Sequence, residues 1–575
     1  MLTRAARIVL PDLEQPHGGS PLQAHFTLID WAVLVGYLLL STLVGALLAG
    51  KQATIRDFFL GGKTLPWPAV SASIIATEIS AVTLLSVPAI VFAPGGNLTY
   101  LQLAIGSIIA RVIVAVVFVP AFYEREIFSP YDYIGRRLGP PARTLITLLF
   151  MLGSVLGQSV RVLITALVLE QISGIHMTWC IWIIGLFGGL WTLLGGITTV
   201  IWTDVIQFVL FIVAMAAALV FVLLQLPGGW SEVFSAASAA GKLQAIDLSS
   251  DPKAGFTLWT GLIGNTVLCL SAYGTDQMMA QRMFCCRGPV QARRAILASN
   301  IGLITPILAL LVGLALFAFY QRFPLAGEAA AAVAAKSDRV FPVFVLQNMP
   351  PGLVGLIIAG IFAAAMPTSA ISALSQTVMT TFYQPWRARR TEGPLNSSIR
   401  EDRLDLFVSR ILIVIWSVVL SGMAQISKLA WDRYGQIINL ALEMATYTGG
   451  ALLAAFLLAL LRLNVDYRGI VWSAPLSVLC VFGVTWHQPW AQWTTLVLSS
   501  LLAAVRLVRA RGAGSLSTVV FLIACGLPPF LSCFNWLAED VRYISVAWPW
   551  NVPIGFIVAF SLGWLLARRQ AAAGA

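Results

Sequence analysis

The chain is short of charge. Only 11% of its 575 residues are Asp, Glu, Lys or Arg, against about a quarter in a soluble domain. With 58% hydrophobic residues and so few ionic groups, folding alone cannot hide its apolar surface from water, and lipid must be its solvent. Histidine is scarce too. His17, His25, His176 and His487 are scattered and lie outside apolar cores, which argues against a histidine metal centre. The seven cysteines contain no CxxC pair, so neither a disulfide framework nor a zinc site is indicated. There is no phosphate-binding glycine loop, no nucleophile–base pair, and no signal-type apolar core in residues 1–25. These absences speak against an enzyme. The net charge of +11 would suggest nucleic acid in a soluble protein. Here it reflects basic loops at one membrane face, and no nucleic-acid partner is expected.

What is present is a series of long apolar runs. Crossing ~30 Å of hydrocarbon takes ~20 helical residues, and about fifteen candidate spans can be drawn. They cover 27–49, 66–93, 99–123, 143–170, 177–196, 201–225, 255–281, 295–320, 352–383, 406–425, 434–461, 469–486, 491–508, 515–534 and 549–567. Lys and Arg concentrate in every second loop, as in Arg125, Arg136, Arg137 and Arg143, then Arg282, Arg287, Arg293 and Arg294, then Arg387, Arg389 and Arg390. This bias places the N terminus outside and the C terminus in the cytoplasm of a plasma (inner) membrane. The loop 321–351 contains "AGEAAAAVAAKSD", which predicts a short surface helix.

Ionisable groups at membrane depth cost several kcal/mol and mark cavities or pathways. The candidates are Glu78, Arg111, Arg161, Asp204, Asp276 and Glu443. Glu78 lies midway along its run, between Thr77 and Ser80 and ten residues before Pro88, and reads as a functional carboxylate in a helix made to break. Arg111 and Arg161 read as partners for carboxylates, or as contacts for an organic anion. Asp204 fits a helix N-cap as well as an ion pathway. Asp276 reads as a solvated structural residue, and Glu443 stands open between structure and function.

A second polar stretch, "AAAMPTSAISALSQT" at 363–377, sets Thr368, Ser372 and Ser375 along one helix face. Such hydroxyls also serve close helix packing. Pro367 has no N–H, so the carbonyl of Ala363 loses its helix partner. A freed carbonyl at membrane depth is tolerated where it lines a cavity or meets an ion. Two helices with loosened backbone and hydroxyls near mid-membrane suit a small hard cation such as Na⁺. Broken helices of this kind are the mark of inverted-repeat transporters.

At these residues the chain resembles the sodium:solute symporters, the group of the sodium–glucose, proline and sialic acid carriers. The motifs are "DFFLGGKTLPW" (57–67), "ATEISAVTLLSVPA" (76–89), "YDYIGRRLG" (131–139), "GGITTVIWTDVIQF" (195–208) and "YGTDQMMAQRMF" (273–284) with "ARRAIL". They continue with "AGIFAAAMPTSAISALSQTVMTTFYQP" (359–385), "INLALEMATYTGGALLAAFLL" (438–458) and "WPWNVPIGFIVAF" (548–560). The resemblance implies an all-α polytopic membrane protein of the LeuT type. Its two inverted five-helix repeats would be 66–225 and 255–461. An extracytoplasmic segment 1–26 and one extra helix 27–49 would precede them. About four C-terminal helices would follow within 469–567, of which 491–534 looks like an insertion.

The resemblance also implies a sodium site. Its backbone ligands map to Ala76, Ile79 and Ala364. The hydroxyl pair reads Pro367-Thr368 without a gap, and Thr368 with Ser369 when one is allowed. Glu78 aligns with an acidic residue of the proline carriers, and Asp204 with one near the cytoplasmic ion pathway. Solute contacts are expected from Ser80, Thr83, Arg111 and Glu443. Val82, Thr83, Cys269, Ala272 and Leu442 stand where sugar carriers use polar or aromatic groups, so a hexose is not expected. The expected function is Na⁺-coupled symport of a small organic solute, such as an organic anion, by alternating access, with no cofactor besides Na⁺. Proton coupling on the same fold, or a sensor built on it, are the alternatives.

Overall fold

The computed structural model describes residues 26–48, 54–79, 81–124, 129–390, 399–434, 446–461, 463, 465–485, 489–509, 516–533 and 546–567. Ser80, Glu443 and Leu442 lie outside them. Among the described residues the regular structure is helical, and one isolated bridge pairs Leu65 with Cys286.

The helices that position the site are α1 (Leu28–Leu48), α2 (Trp67–Glu78), α3 (Ala81–Phe92), α4 (Thr99–Tyr123), α5 (Pro140–Ser173) and α6 (Met177–Gln225). They continue with α7 (Thr266–Thr275), α8 (Gln277–Phe284), α9 (Pro289–Arg322), α10 (Leu353–Ala365), α11 (Thr368–Val378) and α12 (Ile399–Tyr434). The C-terminal group is α13 (Gly449–Leu460), α14 (Tyr467–Thr485), α15 (Pro489–Arg509), α16 (Leu516–Cys525) and α17 (Asn551–Leu566). The short helix expected in 321–351 is present as Gly327–Ala335.

Among the described residues ten helices are long and apolar enough to cross a membrane, or eleven if the bent pair α2–α3 counts as one span. The chain is thus a multi-pass membrane protein, but the count of about fifteen is not reproduced. The runs 177–196 and 201–225 belong to the single element α6, hinged at Gly195 and Gly196. Gly196 has φ +57°, and a Cβ there would lie 2.3 Å from the Phe58 carbonyl oxygen, so the hinge needs glycine twice over. The run 255–281 is cut in two at Asp276, into a helical stretch 258–275 that ends in α7 and the short helix α8, neither of which counts among the spans. The run 515–534 yields only short helices, and part of 434–461 lies outside the described residues.

α1 is fastened through its first turn. Asp30, fully buried, accepts from the backbone N–H groups of Gly352 (2.7 Å) and Gly355 (2.8 Å) at the start of α10. A carboxylate there satisfies orphan donors and meets the positive end of the helix dipole.

The buried apolar residues form two large clusters rather than one. The first takes Leu34, Ile75, Ile79, Leu84, Leu163, Phe211, Leu314 and Met366. The second takes Val70, Ile74, Val114, Phe150, Ile197, Tyr273, Ile371 and Phe456. The two meet along α2 between Ile74 and Ile75 and across the α10–α11 junction. At that level the buried residues are polar: Ser73, Thr77, Thr203, Asp204, Gln207 and Thr368. A smaller cluster of Trp472, Leu476, Phe521, Cys525 and Leu566 belongs to the C-terminal helices.

Candidate ion and solute site

Three helix breaks build the site. α2 ends at Glu78, Ile79 is extended (φ −65°, ψ 136°), and the chain resumes as α3 at an angle of 59°. The break therefore falls at Ile79, not at Pro88, which lies inside α3. α10 ends at Ala365, and Met366 is extended (φ −69°, ψ 131°). α11 restarts at Thr368 behind Pro367, where the sequence placed the weakness. The third break was not foreseen. α7 stops at Thr275, Asp276 is extended (φ −76°, ψ 128°), and its carboxylate accepts from Met278 N–H (2.7 Å) to cap α8. Asp276 thus has the structural role expected of it, yet it borders a cavity rather than open solvent.

A helix end leaves its last carbonyls without i+4 donors. At the α2 end these include Ala76 and Thr77, and at the α10 end Ala363 and Ala364. Two are met by side chains. Arg161 donates to the Thr77 carbonyl (3.1 Å). Gln207, with its amide nitrogen turned to the two acceptors, donates to the Ala363 carbonyl (3.2 Å) and to Asp204 Oδ1 (3.3 Å). The Ala76 and Ala364 carbonyls at these helix ends and the buried Thr368 hydroxyl are of the oxygen type that a hard cation prefers.

Two arginine–carboxylate centres flank the α2 end. In the first, Arg111 of α4 donates to Glu78 Oε2 (2.5 Å), Ser107 Oγ (2.6 Å) and Ser299 Oγ (3.0 Å). Its guanidinium stands 4.7 Å from the Tyr273 ring centroid, and the Tyr273 hydroxyl donates to Glu78 Oε1 (2.6 Å). The Arg111 side chain is 0% exposed and that of Glu78 37%. Arg111 is buried and paired with a carboxylate, one of the two roles that the sequence left open for it. Glu78 is held on this side of the helix, apart from Asp204.

In the second centre, Arg282 of α8 donates to Asp204 Oδ2 (2.8 Å) and Ser73 Oγ (2.7 Å), and also to Ser369 Oγ. Ser73 donates to Asp204 Oδ2 (2.5 Å). The side chains of Arg282 and Asp204 are 0% and 3% exposed. Asp204 sits within α6, past the Gly196 hinge, so it caps no helix and the N-cap reading fails. Arg282, taken from sequence as a cytoplasmic loop residue, is buried instead. Ser369, expected as a sodium ligand, has its hydroxyl occupied by a guanidinium.

A cavity of about 310 Å³ opens beside the α2 end. Its charged borders are Glu78, Arg161 and Asp276, and its apolar borders include Phe150, Ala272, Met279 and Val552. Arg161 is half-buried, and no carboxylate lies within ion-pair distance of it among the described residues. Thr83 is half-buried on α3 and lines neither this cavity nor a larger one of about 1070 Å³ between α3, α5, α10 and residues 325–346. Ile164 borders both.

Sequence reasoning missed Arg282, Ser73, Gln207 and Tyr273. Only the acid–base pattern "YGTDQMMAQR" hinted at Arg282, because its partners lie far away in the chain.

Residues 58–476 match the model of the sodium:solute symporter family. The chain is 28% identical over 471 residues to sodium-coupled monocarboxylate transporter 2 of Bos taurus, covering 80% of this chain and 73% of that protein. It is 28% identical to the human sodium/iodide cotransporter (84% of this chain, 74% of that one). It is 29% identical to the sodium/sialic acid symporter SiaT of Proteus mirabilis (80% and 90%). The fold is similar to a solved substrate-bound, outward-open Na⁺-coupled sialic acid symporter, with TM-score 0.72 and 23% identity, covering 95% of this chain and 100% of that one. The LeuT-type architecture read from the motifs is therefore present, and of the readings left open the sodium-coupled one holds. The chain belongs to the sodium:solute symporter family: it is a secondary transporter that carries a solute with Na⁺ across a membrane, not an enzyme.

Proposed function

We propose that the solute is a small organic anion, held by Arg161 in the cavity beside the α2 break. One observation carries this reading: Arg161 borders the cavity with no carboxylate within ion-pair distance among the described residues, while Arg111 is fully buried and ion-paired with Glu78. The names of similar carriers, which include monocarboxylate and sialic acid transporters, support an acidic solute. The coupling Na⁺ is assigned to the carbonyls of Ala76, Ile79 and Ala364 with the Thr368 hydroxyl. Because Arg161 also donates to the Thr77 carbonyl (3.1 Å), it links solute to ion through one turn of α2. Solute charge on Arg161 then stabilises the same backbone segment that offers oxygens to Na⁺, which is how two ligands come to favour one conformation.

The repeats are assigned to 66–225 and 255–461. The larger cavity is lined in part by residues of the loop 321–351, which the alternation of basic and non-basic loops puts on the same face as the N terminus. This supports an outward-facing arrangement with the N terminus outside and the C terminus inside. Asp276 on the cavity wall favours a second reading, a zwitterion whose ammonium meets that carboxylate.

The test is binding of a panel of monocarboxylates and amino acids to the purified protein with Na⁺ present. Arg161→Gln should weaken monocarboxylate binding about 10- to 100-fold, the worth of a charge-assisted hydrogen bond, while Na⁺ binding alone persists. Unchanged monocarboxylate affinity in Arg161→Gln contradicts the assignment. Amino acids binding in preference, with dependence on Asp276, would select the zwitterion.

A further inference from the structure

The segment 491–534 takes no part in the site above, yet it holds a cationic corner. Arg506 and Arg509, near the end of α15, both lie against the Trp472 ring of α14, their guanidinium carbons 5.2 and 6.0 Å from its centroid. Trp472 is itself buried in the C-terminal apolar cluster, so it fixes where the two guanidinium groups stand. Arg506 also lies 5.8 Å from the Phe521 ring of α16 and donates to Ser517 Oγ at 3.4 Å, while its Nε has no partner. No carboxylate lies within ion-pair distance of either arginine among the described residues. A third arginine, Arg468 in the first turn of α14, is near enough for its charge to act on Arg506, and it stands 3.6 Å from Asp466. Like charges gathered on an aromatic face at the margin of a bilayer repel one another and attract an anion.

The surface leading to this corner is apolar. Leu498, Leu501 and Val505 precede Arg509 at helical spacing, so the four share one face of α15. The three apolar members are 40%, 57% and 37% exposed. Cations at the end of an exposed apolar stripe complement an amphiphile with an anionic head and an acyl tail. A free anion would leave the stripe unused, and a second copy docked about a twofold axis would bring the cationic corner toward its own image.

We propose that this corner binds one anionic phospholipid from the leaflet at the basic-loop face: Arg506 and Arg509 hold the phosphate, and the α15 stripe carries an acyl chain. Guanidinium groups match phosphate oxygens with paired N–H donors, and basic side chains at a membrane surface favour anionic lipid. The bound phosphate relieves the repulsion among the arginines. It thereby holds α15 and α16 against α14, which packs on α17 and through it on α13. The proposal is independent of the sodium and solute assignments.

Native mass spectrometry of the delipidated full chain, titrated with dioleoylphosphatidylglycerol or dioleoylphosphatidylcholine, tests this. Wild type should retain one phosphatidylglycerol about tenfold or more tightly than phosphatidylcholine. Arg506→Gln/Arg509→Gln should lose that preference, whereas Arg403→Gln/Arg410→Gln, which removes two exposed arginines of α12, should keep it. Phosphatidylglycerol should raise the thermal transition of wild type, and inorganic phosphate should not. Should Arg506→Gln/Arg509→Gln fail to fold, Arg509→Gln alone decides. Arg509 is exposed, and its loss should weaken phosphatidylglycerol binding about threefold or more. Equal affinity for the two lipids, or a preference unchanged in either arginine variant, overturns the proposal. So does an equal loss in the α12 control, which would mark a diffuse charge effect, or equal stabilisation by inorganic phosphate, which would mark a free-anion site. A dimer that dissociates in Arg509→Gln would give the corner to a second copy instead.

Discussion

The two arginine–carboxylate centres share a helix but not an environment. In the Arg111–Glu78 pair the carboxylate borders the cavity beside the α2 break and is 37% exposed, whereas Arg282–Asp204 is dry on both sides, at 0% and 3%. Ser73 joins α2 to the dry centre, and Glu78 joins it to the wet one, one turn further on. In a solvated pair water can replace a lost partner, so such a centre can shift as solute enters. In a dry pair the lost partner leaves a bare charge. The comparison assigns the adjustable part of α2 to its broken end and the fixed part to the turn before it.

The largest expected effect comes from breaking the dry pair. Asp204→Ala leaves Arg282 buried and uncompensated and should cost about 3–5 kcal/mol, read by chemical unfolding in detergent. Asp204→Ala/Arg282→Met should recover most of that loss. A cost for Asp204→Ala no greater than for Glu78→Ala would erase the distinction.

A middling effect is expected where the wet centre's helices touch. Gly106 of α4 lies so close to the helical stretch 258–275 that a Cβ would be 2.2 Å from the Gly261 carbonyl oxygen and 2.6 Å from the Thr266 nitrogen. Gly106→Ala should therefore cost about 1–3 kcal/mol by forcing the backbones apart, and it should loosen the Arg111–Tyr273 contact with them. Fluorescence-monitored thermal unfolding measures the first. A neutral result would mean that this approach is not what aligns the centre.

The smallest effect is Glu78→Gln. The amide oxygen can still accept from Arg111, which keeps Ser107 and Ser299, and Glu78 itself is partly exposed; the buried Arg111 loses its counter-charge but no hydrogen bond, so a stability loss of about 1–2 kcal/mol is expected. Its consequence should fall on solute exchange instead, as a changed rate at unchanged Na⁺ affinity. Loss of Na⁺ affinity in Glu78→Gln would return that carboxylate to the ion site.

The membrane class, the family motifs and the α10–α11 break were legible because each has a local cause. Length of apolar run sets the spans, and Pro367 removes the N–H that would have continued the helix. Pro88 misled because it sits inside α3, where it removes the N–H that would meet the Leu84 carbonyl yet does not end the helix. It lies in α3 after the break, and its carbonyl oxygen packs against Gly313. The break at Asp276 has a milder signature, a capping aspartate after Gly274-Thr275, which reads equally as a loop end. The pairing of Arg282 with Asp204 was invisible because 78 residues separate them, and no local pattern reports which buried charges face each other. The same limit left the partner of Arg111 open. Its isolation depends on Ser299, Tyr273 and Glu78 arriving from three other parts of the chain.

The central claim is that interrupted helices place Na⁺ and an anionic solute one turn apart, so that each promotes uptake of the other. Uptake of a labelled monocarboxylate into proteoliposomes, under an inward Na⁺ gradient and separately under a matched proton gradient, tests it most directly. The account predicts accumulation with Na⁺ that is abolished in Thr368→Ala at low Na⁺ and restored at high Na⁺. Accumulation driven by protons alone, indifferent to Na⁺, would contradict it.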